Sequence, residues 1–104
     1  MAFFRVEPDS DCELIREGNL EPLGYQQITV LTAAIGLTVP AGATIALLQA
    51  EGDDIRWRDD GTVPTAAIGM LIQQGRELAY TGRLEAIKFI EVTASGILNV
   101  SFYG

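Results

Sequence analysis

Ile97-Leu98-Asn99-Val100-Ser101-Phe102-Tyr103 is the stretch that decides the fold. Leu98, Val100 and Phe102 alternate with Asn99, Ser101 and Tyr103, so a period of two sends one set to a core and the other outward. Working back from it, Thr93 to Gly96 is a turn. Leu84 to Val92 is a strand with Ile87 and Phe89 inward and Lys88 outward. Ala66 to Gln73 and Arg76 to Thr81 flank a turn at Gln74-Gly75. Asp53 to Arg58 sets Ile55 and Trp57 against Arg56 and Arg58, and closes at Asp59-Asp60-Gly61, a loop that Pro64 extends. Thr44 to Ala50 is continuously apolar, as expected of a strand covered on both faces. Gly36 to Val39 is a short strand ending in Val39-Pro40-Ala41-Gly42, which suits a type I turn. Tyr25 to Leu31 carries β-branched residues. About seven or eight strands spaced roughly every ten residues predict an all-β fold, a small antiparallel β-sandwich (jelly-roll-like) or a barrel.

The chain has 104 residues, the length of one domain. Residues 1–23 read as an acidic N-terminal arm and residues 24–104 as the β-sandwich domain. The arm carries Glu7, Asp9, Asp11, Glu13, Glu17 and Glu21 against Arg5 and Arg16. Ser10-Asp11-Cys12-Glu13 fits a capping box, and Gly18 would close a short helix from Asp11 to Glu17. Phe3, Phe4, Leu14 and Ile15 are its apolar anchors and candidate partner contacts, so the arm is expected to order only against its own body or a neighbour, and is otherwise a loose solvated tail. The acids after Val6 leave no apolar core for a signal peptide. The uncharged stretch from Pro22 to Ala50 is long enough to span a membrane, but Gly36, Pro40, Gly42 and its β-branched residues read as strands and a turn. A soluble protein without membrane association is the expectation.

The chain holds no His and one Cys, which excludes an intrachain disulfide, Cys/His zinc sites and His-based nucleophile triads. A net charge of −7 without any Lys/Arg run argues against nucleic acid as a partner. Asp53, Asp54, Asp59 and Asp60 lack the spacing of a calcium loop and read as turn residues. Nor does their spacing enforce the facing carboxylates of a glycosidase. No metal, cofactor or enzymatic activity is expected. Tyr25, Tyr80 and Tyr103 are candidates for a sugar-binding face, or ordinary strand-end tyrosines. Cys12 sits among acids that disfavour a thiolate. Arg56 and Arg58 flank Trp57, a core position by alternation. They are candidate partner contacts that pair with nearby aspartates or with a partner's acidic arm.

Apolar residues also fill outward positions, as in Ala66-Ala67-Ile68 and Met70-Leu71-Ile72. One small sandwich buries one face of each sheet, so the excess predicts a homo-oligomer.

The run Ile55-Arg56-Trp57-Arg58-Asp59-Asp60-Gly61-Thr62-Val63-Pro64-Thr65-Ala66, with Gly69-Met70, resembles small structural proteins of tailed bacteriophage virions. So do Gly36-Leu37-Thr38-Val39-Pro40-Ala41-Gly42-Ala43 and Ala50-Glu51-Gly52 upstream. Downstream, Leu84-Glu85-Ala86-Ile87-Lys88-Phe89-Ile90-Glu91 and Leu98-Asn99-Val100-Ser101-Phe102-Tyr103 extend the resemblance, which covers residues 25–103. It implies a non-enzymatic virion protein with a β-sandwich fold, assembled in the host cytoplasm. The expected role is a capsid decoration (cement) protein, a homotrimer that contacts the major capsid protein. The alternative is a tail or adsorption component, a carbohydrate-binding module.

Overall fold

Eight strands form along residues 20–104, the part of the chain that the computed structural model describes. They are β1 (Pro22–Ile28), β2 (Ile35–Gly36), β3 (Ile45–Glu51), β4 (Ile55–Arg58), β5 (Met70–Ile72), β6 (Glu77–Tyr80), β7 (Lys88–Glu91) and β8 (Ile97–Tyr103). All pairings are antiparallel, in two four-stranded sheets ordered β1-β8-β3-β6 and β2-β7-β4-β5. This is the strand order of a jelly roll: a two-sheet sandwich with open edges, and not a closed barrel. No helix of the described residues is long and apolar enough to cross a membrane. The expected helix from Asp11 to Glu17 and the anchors Phe3, Phe4, Leu14 and Ile15 lie outside the described residues.

The alternation over residues 97–103 is realised in full: Leu98, Val100 and Phe102 are buried, and the residues between them are half-buried. Phe102 stands opposite Gly24 on β1 and Ala46 on β3, two small residues that leave room for its ring. Leu48 and Ala50 join it from β3, and Ile55, Ile72 and Phe89 close the core from the second sheet. Leu31, Leu84 and Ile87 plug the sandwich from the connections. Trp57 is half-buried against this cluster on the Ile55 side of β4.

Five expectations are corrected. The first strand begins at Pro22, because Pro22 pairs with Tyr103 and Glu21 exchanges two backbone hydrogen bonds with Gly104. The second is only Ile35–Gly36, since the chain then leaves Lys88 and crosses to the other sheet. Its turn is shifted by one residue: Ala43 N–H donates to Pro40 C=O, and Gly42 takes the positive φ of 84° that a type II turn needs at its third position. The strand expected from Ala66 to Gln73 shrinks to Met70–Ile72, because residues 65–68 form a turn. There the Thr65 hydroxyl accepts from Ala67 and Ile68 N–H. Finally, β3 is not covered on both faces, as Leu47 is half-buried and Gln49 exposed.

Candidate functional site

The second sheet gathers cations on its outer side. Ile55 and Trp57 take the inner side of β4, so Arg56 and Arg58 face out. Register sets Arg58 opposite Lys88 on β7, and Lys88 opposite Gly36 on β2. The Lys88 ammonium lies over Gly36, where an added Cβ would stand 3.0 Å from Nζ. In the next row Arg56 stands between Ile90 on β7 and Leu71 on β5. Arg56, Arg58 and Lys88 thus share one face, while Arg76 and Arg83, the other cations among residues 20–104, lie outside its strands.

Both arginines are half-buried and make contacts within the chain. Arg56 Nε donates to Ala66 C=O at 3.1 Å and Nη1 to Gly69 C=O at 2.9 Å, which pins the turn before β5. Arg58 Nε donates to Asp60 Oδ1 at 3.1 Å and Nη2 donates to Oδ2, forming a two-pronged pair. These bonds, helped by Thr62 N–H, hold the Asp60 carboxyl below its ordinary range, and Asp60 in turn raises Arg58.

The aspartates act as turn anchors. Asp53 Oδ2 accepts from Thr93 N–H at 2.6 Å and Ala94 N–H at 3.0 Å. Asp54 Oδ1 accepts from Gln74 N–H at 2.7 Å. Among the described residues no group of three or more His, Cys, Asp or Glu is placed to hold a metal ion.

The three tyrosines do not share a face. Tyr25 is 65% exposed on the outer side of the first sheet, and Tyr103 is half-buried at its end. Tyr80 is buried because its partner Ala46 faces the core; it meets Trp57 edge to face at 5.8 Å. Its hydroxyl donates to Asp59 Oδ2 at 2.6 Å. A polar network surrounds Tyr25. Its hydroxyl and Gln27 Nε2 both donate to Asn99 Oδ1, and Asn99 Nδ2 donates to Glu51 Oε1 at 3.0 Å.

Burial, reinforced by the bond to Asp59, pushes the Tyr80 hydroxyl up to about 12. Its ordinary value is near 10, so between those values the unfolded chain loses a proton that the folded chain keeps. Stability contributed by Tyr80 is therefore complete below pH 10 and lost as pH rises toward 12. The expected slope from this group is about 1.4 kcal/mol per pH unit. Urea midpoints of wild type and Tyr80→Phe measured at pH 9 to 12 check this: the difference between the two should narrow with pH. A constant difference would show that Tyr80 titrates as in the unfolded chain.

Large apolar side chains stand exposed at two opposite edges. Met70 is 60% and Leu71 42% exposed on the edge strand β5, with Val63 and Ile68 in the loop before it. Val30 and Ile35 are exposed on the β1–β2 side. The cation row and the apolar edge meet at Arg56 and Leu71. Outward facing of Arg56 and Arg58 was legible from the alternation of β4. The Arg58–Lys88 juxtaposition was not, because it is set by strand pairing across 30 positions.

No protein-family model matches the chain, and no curated protein or solved structure is significantly similar to it.

Proposed function

We propose that this chain is a non-enzymatic structural protein of a tailed-phage virion, a decoration (cement) protein that assembles as a homotrimer. It binds the major capsid protein on particles assembled in the host cytoplasm. The observation that carries the reading is the apolar edge at Val63, Ile68, Met70 and Leu71, beside a β5 backbone edge that pairs on one side only. An exposed apolar edge strand is an aggregation hazard unless a partner covers it. The jelly roll is also shared by viral capsid domains, a fold-level analogy that agrees with the resemblance.

Deleting residues 1–20 is the test. The truncated protein should stay folded, because every described strand lies after residue 20. Its occupancy on particles stripped of the native copy, and the heat resistance those particles gain, should fall to background. Full occupancy by the truncated chain assigns the contact to the sandwich face alone, and no occupancy by the intact chain defeats the reading.

A second reading, an adsorption module, is favoured by the exposed Tyr25 ring amid the Gln27, Asn99 and Glu51 network, since lectins also use jelly rolls. Glycan binding that Tyr25→Ala abolishes, with particle occupancy unchanged, would put it first.

A further inference from the structure

We propose that the outer face of β1-β8-β3-β6 is a carbohydrate site, on which a neutral oligosaccharide lies across the strands from the Tyr25 ring to a cleft at Gln49, Glu51 and Gln74. The inference rests on the second reading above, which holds Tyr25 and its network alone. It adds the cleft, the path between the two and the charge of the ligand.

Register builds the path. Gln27 on β1 stands opposite Asn99 on β8, Asn99 opposite Gln49 on β3, and Gln49 opposite Glu77 on β6, so one row of polar side chains crosses the sheet. At a strand spacing of about 4.8 Å the row is roughly 14 Å long, more than a single sugar ring covers. Asn99 is its fixed point. The Asn99 oxygen accepts from the Tyr25 hydroxyl at 2.7 Å and from Gln27 Nε2 at 2.9 Å. Its nitrogen donates to Gln49 Oε1 at 3.4 Å and to Glu51 Oε1 at 3.0 Å. Among the described residues, the Gln27 side-chain carbonyl, the Gln49 amino group and Glu51 Oε2 take no other bond, so acceptors and a donor remain for sugar hydroxyls.

The neighbouring row is Tyr25, Ser101, Leu47 and Ala79, small or apolar beside the ring. Tyr25 pairs with Ser101 but bonds to Asn99, so its ring leans across the sheet, and the residue stays 65% exposed. A pyranose has an apolar C–H face and a rim of hydroxyls. The aromatic ring takes the first and the amide row the second.

Gln49 and Glu51 also line an open cleft of about 340 Å³, which Gly52, Gln74 and Gly75 complete. The cleft is built before any ligand arrives. Gly75 N–H donates to Ala50 C=O at 2.8 Å, Ala50 N–H to Arg76 C=O at 3.2 Å and Gln74 N–H to Asp54 Oδ1 at 2.7 Å, which holds the turn against β3. Glu51 and Glu77 are the acids along row and cleft, and Arg76 is the cation beside them, on a chain of net charge −7. A neutral sugar donates hydroxyls to those carboxylates, whereas a sugar acid is repelled.

Calorimetric titration of the full-length chain with cellohexaose and with maltohexaose tests this, with the glucuronate hexamer of the same linkage as the charged probe. Wild type should bind at least one neutral hexasaccharide with a Kd in the millimolar range or tighter, and its glucuronate counterpart at least tenfold more weakly. Tyr25→Ala and Gln49→Ala/Gln74→Ala should each weaken binding about tenfold or more. Glu51→Gln/Glu77→Gln should narrow the gap between neutral and charged probes. All five side chains are exposed, and circular dichroism melts confirm that each variant is folded. If the cleft variant misfolds, Gln74→Ala alone takes its place. Binding of neither neutral hexasaccharide, or equal binding of the charged one, overturns the proposal. Affinity lost in Tyr25→Ala but unmoved in the cleft variant overturns it too, and leaves the second reading standing. Sugar binding that needs both ends, on a chain that particles take up only at the head, upholds the site and sinks the adsorption role alone.

Discussion

Phe102→Ala is expected to lower the stability of the folded body by about 3–5 kcal/mol, the cost of emptying a large buried aromatic site. Phe102 is 1% exposed, and its neighbours across the strands are Gly24 and Ala46. Those two have no side chain long enough to move into the space, so the cavity stays open and the full cost is felt. Against a total of about 5–15 kcal/mol for a typical domain, that loss removes a large share. Each kcal/mol shifts the midpoint of a domain this size by about 4–8 °C, so thermal melting should move down by roughly 15–30 °C. Circular dichroism melts of wild type, Phe102→Ala and Phe102→Leu check it, with leucine expected to recover much of the loss. An alanine variant melting within about 5 °C of wild type would show a core that collapses around the gap.

Gly52→Ala is the second large effect. Gly52 lies just after β3 with φ of 82°, and an added Cβ would stand 2.5 Å from Ser95 C=O. Ser95 belongs to the connection that Asp53 holds at Thr93 and Ala94, and that Glu91 holds at Gly96 N–H. The methyl group must displace this braced backbone, besides the strain of a left-handed residue. The expected cost is about 2–4 kcal/mol by urea unfolding. Gly75→Ala is the control, because Gly75 has a nearly equal φ of 84° with nothing within 4 Å of the added atom. It should lose only the conformational part, about 1–2 kcal/mol. Equal losses at the two positions would mean that the Ser95 carbonyl moves freely.

The sequence carried the fold where strands are long and one-sided. Leu98, Val100 and Phe102 could be assigned inward because a seven-residue strand gives three repeats of the period. The edge strands escaped the same logic. Ile35–Gly36 and Met70–Ile72 are too short to show a period, and Ala66 to Ile68 read as strand because their apolar character outweighed the Thr65 turn in composition. The candidate site divides the same way. The outward arginines follow from facing within one strand. The pairing of Arg58 with Asp60, two residues on, is equally local. The company of the two arginines with Lys88 and Leu71 depends on which strands become neighbours.

Strand β8 is last in chain order, yet it sits second in its sheet, hydrogen-bonded to β1 on one side and β3 on the other. During synthesis, β1 and β3 therefore emerge long before the strand that joins them. Tyr25 meets Asn99 only 74 residues later. Until then two apolar-lined backbone edges wait without a partner, and the first sheet lacks the strand that completes its inner layer. Closure of such distant contacts is slow, with folding in the range of milliseconds to seconds for topologies of this kind. The nascent chain is thus most vulnerable to mispairing with its neighbours on the same message, and a growing pool of copies makes that hazard concentration-dependent.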